Sequence, residues 1–121
     1  MKEKVIDTKA GDLITKVADK VGGLADNYPE EEQLHLANQL RYSASVISLA
    51  LDIIKTNVSQ QKQGFIRCIE RIENSLLEII NNLKIALIRE YIKNNDYDEA
   101  CNLIERLHCK LIILKKSFHS G

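Results

Sequence analysis

Phe65-Ile66-Arg67-Cys68-Ile69-Glu70-Arg71-Ile72-Glu73-Asn74-Ser75-Leu76-Leu77-Glu78-Ile79-Ile80-Asn81-Asn82-Leu83-Lys84-Ile85-Ala86 is the stretch that decides the fold. Within it Phe65, Ile69, Ile72, Leu76, Ile79, Leu83 and Ala86 recur every three or four residues. That spacing stacks side chains on one face of an α-helix. Neither Gly nor Pro interrupts the run, so it predicts a helix over about 60–94, ended by Asn94-Asn95-Asp96. A helix with one long apolar stripe must bury that stripe against neighbours.

The flanking sequence supplies three of them. Downstream, Asp96 lies three residues before Glu99 and reads as a cap with an acidic first turn. The helix it opens covers about 97–118, with Ala100, Leu103, Leu107, Leu111, Leu114 and Phe118 inward. Lys115 and Lys116 complement the dipole in its last turn. Upstream, Pro29 suits the first turn of a helix over about 29–56, and Glu30, Glu31 and Glu32 suit its positive end. Leu34, Ala37, Leu40, Ala44, Ile47, Leu51 and Ile54 form its seam. A first helix covers about 5–27, through Val5, Ile6, Leu13, Ile14, Val17, Val21 and Leu24. It starts either near Val5 or at a cap on Asp12. Gly22-Gly23 is its soft spot, at roughly 1 kcal/mol per glycine against alanine. The breaks at Asn27-Tyr28-Pro29, Thr56-Asn57-Val58-Ser59 and Asn94-Asn95-Asp96 are short, which forces neighbouring helices to be antiparallel. The expected fold is all-α: one domain over 1–121, an antiparallel up-down-up-down four-helix bundle.

Composition agrees. One Pro and five Gly in 121 residues suit long helices, and with no Trp and 5% aromatics the core must be aliphatic. Seventeen basic and seventeen acidic residues cancel, which argues against a dedicated nucleic-acid coat. No apolar run approaches the roughly 18 residues of a membrane span, so no membrane partner is expected. Met1-Lys2-Glu3-Lys4 does not open a secretory signal, and a cytoplasmic location is expected. Cys68, Cys101 and Cys109 are odd in number and form no CxxC pair, which suits reduced thiols.

No catalytic pattern emerges. Glu30, Glu31 and Glu32 are accounted for by the helix dipole without a metal. Glu105-Arg106-Leu107-His108 matches Glu-x-x-His, as does Glu32-Gln33-Leu34-His35; a di-metal bundle site also needs further inward carboxylates. His108 and Cys109 diverge by about 100° on a helix, so they cannot work as a pair. Gly22-Gly23 lacks the Lys-Ser/Thr of a phosphate loop, and three scattered histidines outline no triad. The chain is therefore expected to be no enzyme, with no metal and no cofactor.

Two surface patterns bear on binding. Lys62, Arg67, Arg71, Lys110, Lys115 and Lys116 are the candidate contacts to nucleic-acid phosphate. Glu70 and Glu73 interleave with the arginines, so internal ion pairing is the rival explanation. A second set of apolar residues lies off the seams: Val46, Ala50 and Ile53, then Leu77, Ile80 and Leu87, then Ile112 and Ile113. Either the core is wide or a subunit interface lies there.

Two motifs carry a family resemblance. Tyr28-Pro29-Glu30-Glu31-Glu32, followed by Leu36-x-x-Gln39-Leu40-Arg41-x-x-Ala44, resembles a pattern of bacterial four-helix-bundle proteins first noticed in intervening sequences of 23S ribosomal RNA genes. Phe65-Ile66-Arg67-Cys68-Ile69, with Asn74-Ser75-Leu76-Leu77-Glu78 after it, is similar to that family's second motif. The likeness spans roughly residues 17–118. Tyr42 replaces a family arginine, Asn74 a glycine, and Val46–Ile54 an element with Pro, Asn and Glu-Gly. The resemblance implies a cytoplasmic, non-enzymatic homo-oligomer, in this superfamily a pentameric barrel. It also implies kinship with accessory proteins of diversity-generating retroelements, which bind a reverse transcriptase and nucleic acid.

Two expectations follow for function. One is an oligomeric binding or scaffold module, accessory to a nucleic-acid-processing enzyme such as a reverse transcriptase and itself touching RNA or DNA weakly. The alternative is a protein–protein adapter with no nucleic-acid role. A contiguous basic face would favour the first, and dispersal among glutamates the second. A hairpin turning at residue 58 sets Arg41 level with Ser75 and one turn from Glu78. That register predicts an Arg41–Glu78 ion pair shared with the Ser75 hydroxyl.

Overall fold

Leu13, Ile14, Val17, Val21 and Leu24 bury one stripe of the first helix, α1 (Thr8–Asp26). The computed structural model describes residues 8–56 and 62–120. Three more helices follow: α2 (Leu36–Thr56), α3 (Lys62–Ile88) and α4 (Asn94–Ser120). α1 packs on α2 and α4, and α3 packs on the same two. Helices that follow one another in the chain are thus neighbours around a square, which is an up-down-up-down four-helix bundle. All seven seam residues of α3, from Phe65 to Ala86, are buried. The core they enter is aliphatic apart from Phe65 and Tyr28. α1 runs unbroken through Gly22-Gly23, where a Cβ would meet nothing within 4 Å. Among the described residues no helix is long and apolar enough to cross a membrane.

The helix ends depart from the sequence expectation. α2 does not begin at Pro29. Pro29 is extended (φ −63, ψ 156) and leads a 3-10 turn over Glu30–Glu32. Gln33 explains the delay: its Nε2 donates to the carbonyls of Ala25 (3.0 Å) and Tyr28 (2.8 Å), holding the chain against the end of α1. Leu34 therefore falls outside the seam and is 80% exposed.

α3 stops at Ile88, six residues early. Glu90 takes a left-handed conformation (φ 65), the Tyr91 N–H donates to Ala86 O (2.8 Å) and the Glu90 N–H to Leu87 O (3.0 Å). This is a Schellman ending with glutamate in the place that glycine usually fills. α4 starts earlier than expected, with the Tyr97 N–H bonded to Lys93 O (3.1 Å), so Asp96 sits inside the first turn and is not the cap. In α4, Ile104 takes a buried position, whereas Leu103 and Leu114 are half-buried. Val5, Ile6, the break at 57–59 and the side chain of Phe118 lie outside the described residues.

Candidate interaction surface

The first motif of the resemblance is absorbed by the link between α1 and α2. Tyr28 is buried, and its hydroxyl donates to Asn82 Oδ1 of α3 (2.8 Å). Asn82 Nδ2 in turn donates to Leu36 O at the start of α2 (2.9 Å). Burial pushes the Tyr28 hydroxyl well above its usual pKa, so it remains a donor. The Tyr28 ring tilts against Tyr91 at 5.6 Å, and Glu32 accepts from both the Tyr91 hydroxyl and Arg89 at 3.0 Å. One connected set of polar groups thus joins both inter-helix links at this end of the bundle.

Arg41 belongs to the same set, which corrects its expected partner. Its guanidinium donates to Asp26 (2.9 Å), Gln33 Oε1 (2.6 Å) and, more weakly, Asn38 Oδ1 (3.4 Å). Glu78 instead accepts from the Ser43 hydroxyl at 3.3 Å, and Ser75 is buried. Arg41 and Glu78 do line the same groove, so they are on one side of the molecule. The contacts Ser43–Glu78 and Leu36–Asn82 set Arg41 about level with Glu78 along the bundle, so height does not keep the two apart. Asp26 at the end of α1 and Gln33 hold the guanidinium on the α1 side of α2 instead.

That groove, of about 1050 Å³, runs between α2 and α3. Asn38, Gln39 and Asn81 line it beside Tyr42 and Ile85. Further along the same face Tyr42, Val46, Leu49 and Ile53 form a stripe next to Cys68 and Arg71. Tyr42 is 68% exposed and Leu49 58%. A second depression, between α3 and α4, is lined by Leu77, Ile80 and Ile112, with Glu73, Glu105, His108 and Lys115 around them. Lys115 Nζ bonds Glu73 at 2.7 Å and stands 3.9 Å from Glu70; His108 Nε2 is 3.6 Å from Glu73. The Glu73 hydrogen bond raises the Lys115 pKa, so the pair persists through the ordinary lysine range and is lost only as pH climbs above it.

The six basic candidates are dispersed. Lys62, Arg67, Arg71 and Lys116 are exposed and Lys110 is half-buried. Arg71 borders the α2–α3 groove and Lys115 the α3–α4 groove, so they flank α3 on opposite sides, with glutamates 70 and 73 beside Lys115. The off-seam apolar residues divide. Ala50 joins the core, Ile80 and Leu87 pack partly against it, and Leu77 and Ile113 stay outside at 62% and 65% exposure. All three cysteines are free, with Cys68 and Cys101 half-buried and Cys109 exposed. Among the described residues no group of three His, Cys, Asp or Glu is placed to hold a metal.

A sequence model described as 23S rRNA-intervening sequence protein matches residues 8–113. No curated protein matches the chain.

Proposed function

The chain belongs to the 23S rRNA-intervening sequence protein family, and from that premise we propose that it is a non-enzymatic, self-associating module that works through protein contacts. One observation carries this reading. The exposed large apolar side chains lie at Leu34, on α2, on α3 and at Ile113 of α4, and α1 has none among the described residues. Large apolar side chains left in water on α2, α3 and α4 mark surface that suits binding. Dispersal of the basic residues among glutamates supports the adapter reading over a phosphate-tracking surface. Kinship with retroelement accessory proteins offers a reverse transcriptase as one partner class, and that suggestion rests on the family relation alone.

Light scattering on the purified protein at micromolar concentration tests self-association. A mass above the 13.8 kDa of one chain is expected, and a monomer would overturn the reading. A second reading, contact with nucleic acid, is favoured by Arg67 and Arg71, exposed one turn apart on α3. Polarisation of labelled RNA and DNA at low salt addresses it. Binding, if driven by so few cations, must be weak and fall with added salt; no change in polarisation would discard it.

A further inference from the structure

The depression between α3 and α4 has a volume of about 660 Å³ and shares no lining residue with the groove between α2 and α3. Its floor is apolar: Leu76 and Ile104 are buried, and Ile80 and Ile112 are half-buried beside them. Its rim is ionisable, with Glu73 on α3 and Glu105, His108 and Lys115 on α4. Small-molecule sites have this make-up, mostly apolar walls with a few polar groups at the edge, at roughly 300–1,000 Å³. We propose that the depression binds a small apolar amine, its hydrocarbon part on the isoleucine floor and its ammonium against Glu105.

The charges at the rim decide the sign of the ligand. Lys115 is the one lysine or arginine among the described lining residues. Glu73 holds its Nζ at 2.7 Å and Glu70 stands 3.9 Å away, so it is not free to receive an anion. Glu105 is exposed and makes no ion pair among the described residues. With His108 neutral, the carboxylates of residues 70, 73 and 105 outweigh the single lysine, and the depression carries a negative field. A cation is drawn in and an anion is turned away.

The floor decides the rest of the ligand. A bare cation would find a single unpaired carboxylate in Glu105 and gain nothing from the isoleucines. An amine that carries hydrocarbon uses both, and most of its binding comes from the apolar area it takes out of water. The ammonium then sets the orientation and the preference over neutral or anionic molecules of the same shape.

Amide NMR on the intact chain tests the proposal, with hexylammonium as the probe and hexanoate as its anionic counterpart. Low salt and about pH 8 keep the amine charged and lie above the ordinary histidine range. Hexylammonium should give saturable shifts confined to residues 73–80 of α3 and 101–115 of α4, with hexanoate about tenfold weaker. Glu105→Gln should weaken hexylammonium about threefold and leave hexanoate no weaker. Glu105 is exposed, so circular dichroism should show an unchanged fold. Equal binding of the two probes, or shifts scattered over the surface, would overturn the proposal. So would a depression filled by a second copy, seen as shifts at 73–80 that follow protein dilution and ignore the amine.

Discussion

α1 and α3 are both amphipathic helices of the same bundle, yet they leave different things outside. In α1 Leu13, Ile14, Val17, Val21 and Leu24 are all buried. In α3 the core stripe is equally complete, but Leu77, Ile85 and Ile88 remain exposed at 62%, 39% and 80%. One stripe is enough to hold a helix in a bundle. α1 therefore carries what the protomer needs, and α3 carries more. The surplus is the surface on which the proposed self-association rests.

The largest expected effect tests that division directly. Ile14→Ala in α1 should lower stability by about 2–5 kcal/mol, because it opens a cavity at a fully buried site. Leu77→Ala in α3 should change it by under about 0.5 kcal/mol. Both are measured by urea unfolding at protein concentrations where the midpoint no longer depends on concentration, so that assembly does not contribute. Equal losses would mean that the outer side of α3 belongs to the protomer core and would erase the contrast.

Tyr28→Phe comes next. It removes the hydroxyl bonded to Asn82 Oδ1 and leaves that buried acceptor without its donor. A loss of about 1–3 kcal/mol is expected in the same measurement. No loss would mean that the polar set at the α1–α2 link does not fix how α1 meets α3. The smallest effect has the opposite sign. Glu90→Gly relieves a left-handed glutamate at the end of α3 and should raise stability by about 1 kcal/mol. A loss would show that the Glu90 side chain holds the corner in a way that its backbone does not reveal.

The parts legible in the sequence were those set by repeated local spacing. The seam of α3 could be read residue by residue, because seven apolar positions in helical register admit one face only. The helix ends were less legible, because they depend on single side chains meeting distant backbone. Pro29-Glu30-Glu31-Glu32 fits an α-helical first turn as well as the 3-10 turn it forms, and the Gln33 amide that bonds the end of α1 decides between them. The end of α3 had no glycine to mark it, since Glu90 occupies the left-handed position.

The surface shows the same limit. Arg41 is expected to pair with a carboxylate, and it has one. The acceptor is Asp26 on α1, and a register counted between α2 and α3 alone could not find it. The off-seam apolar residues could be named from spacing. Which of them face water depends on how closely neighbouring helices approach, so Ala50 went to the core and Leu77 did not.

The central claim is that the apolar surplus on α2 and α3 is covered by another copy of the chain in solution. Hydroxyl-radical footprinting of Tyr42 reads that most directly, because its ring is 68% exposed in the protomer and has no reason to be protected there. The rate in the wild-type protein is compared with the rate in the Leu77→Glu variant, which puts a charge into the apolar surplus of α3 and leaves Tyr42 itself unchanged. Oxidation of Tyr42 several-fold slower in the wild type is expected. Equal rates in the two proteins would contradict a covered face.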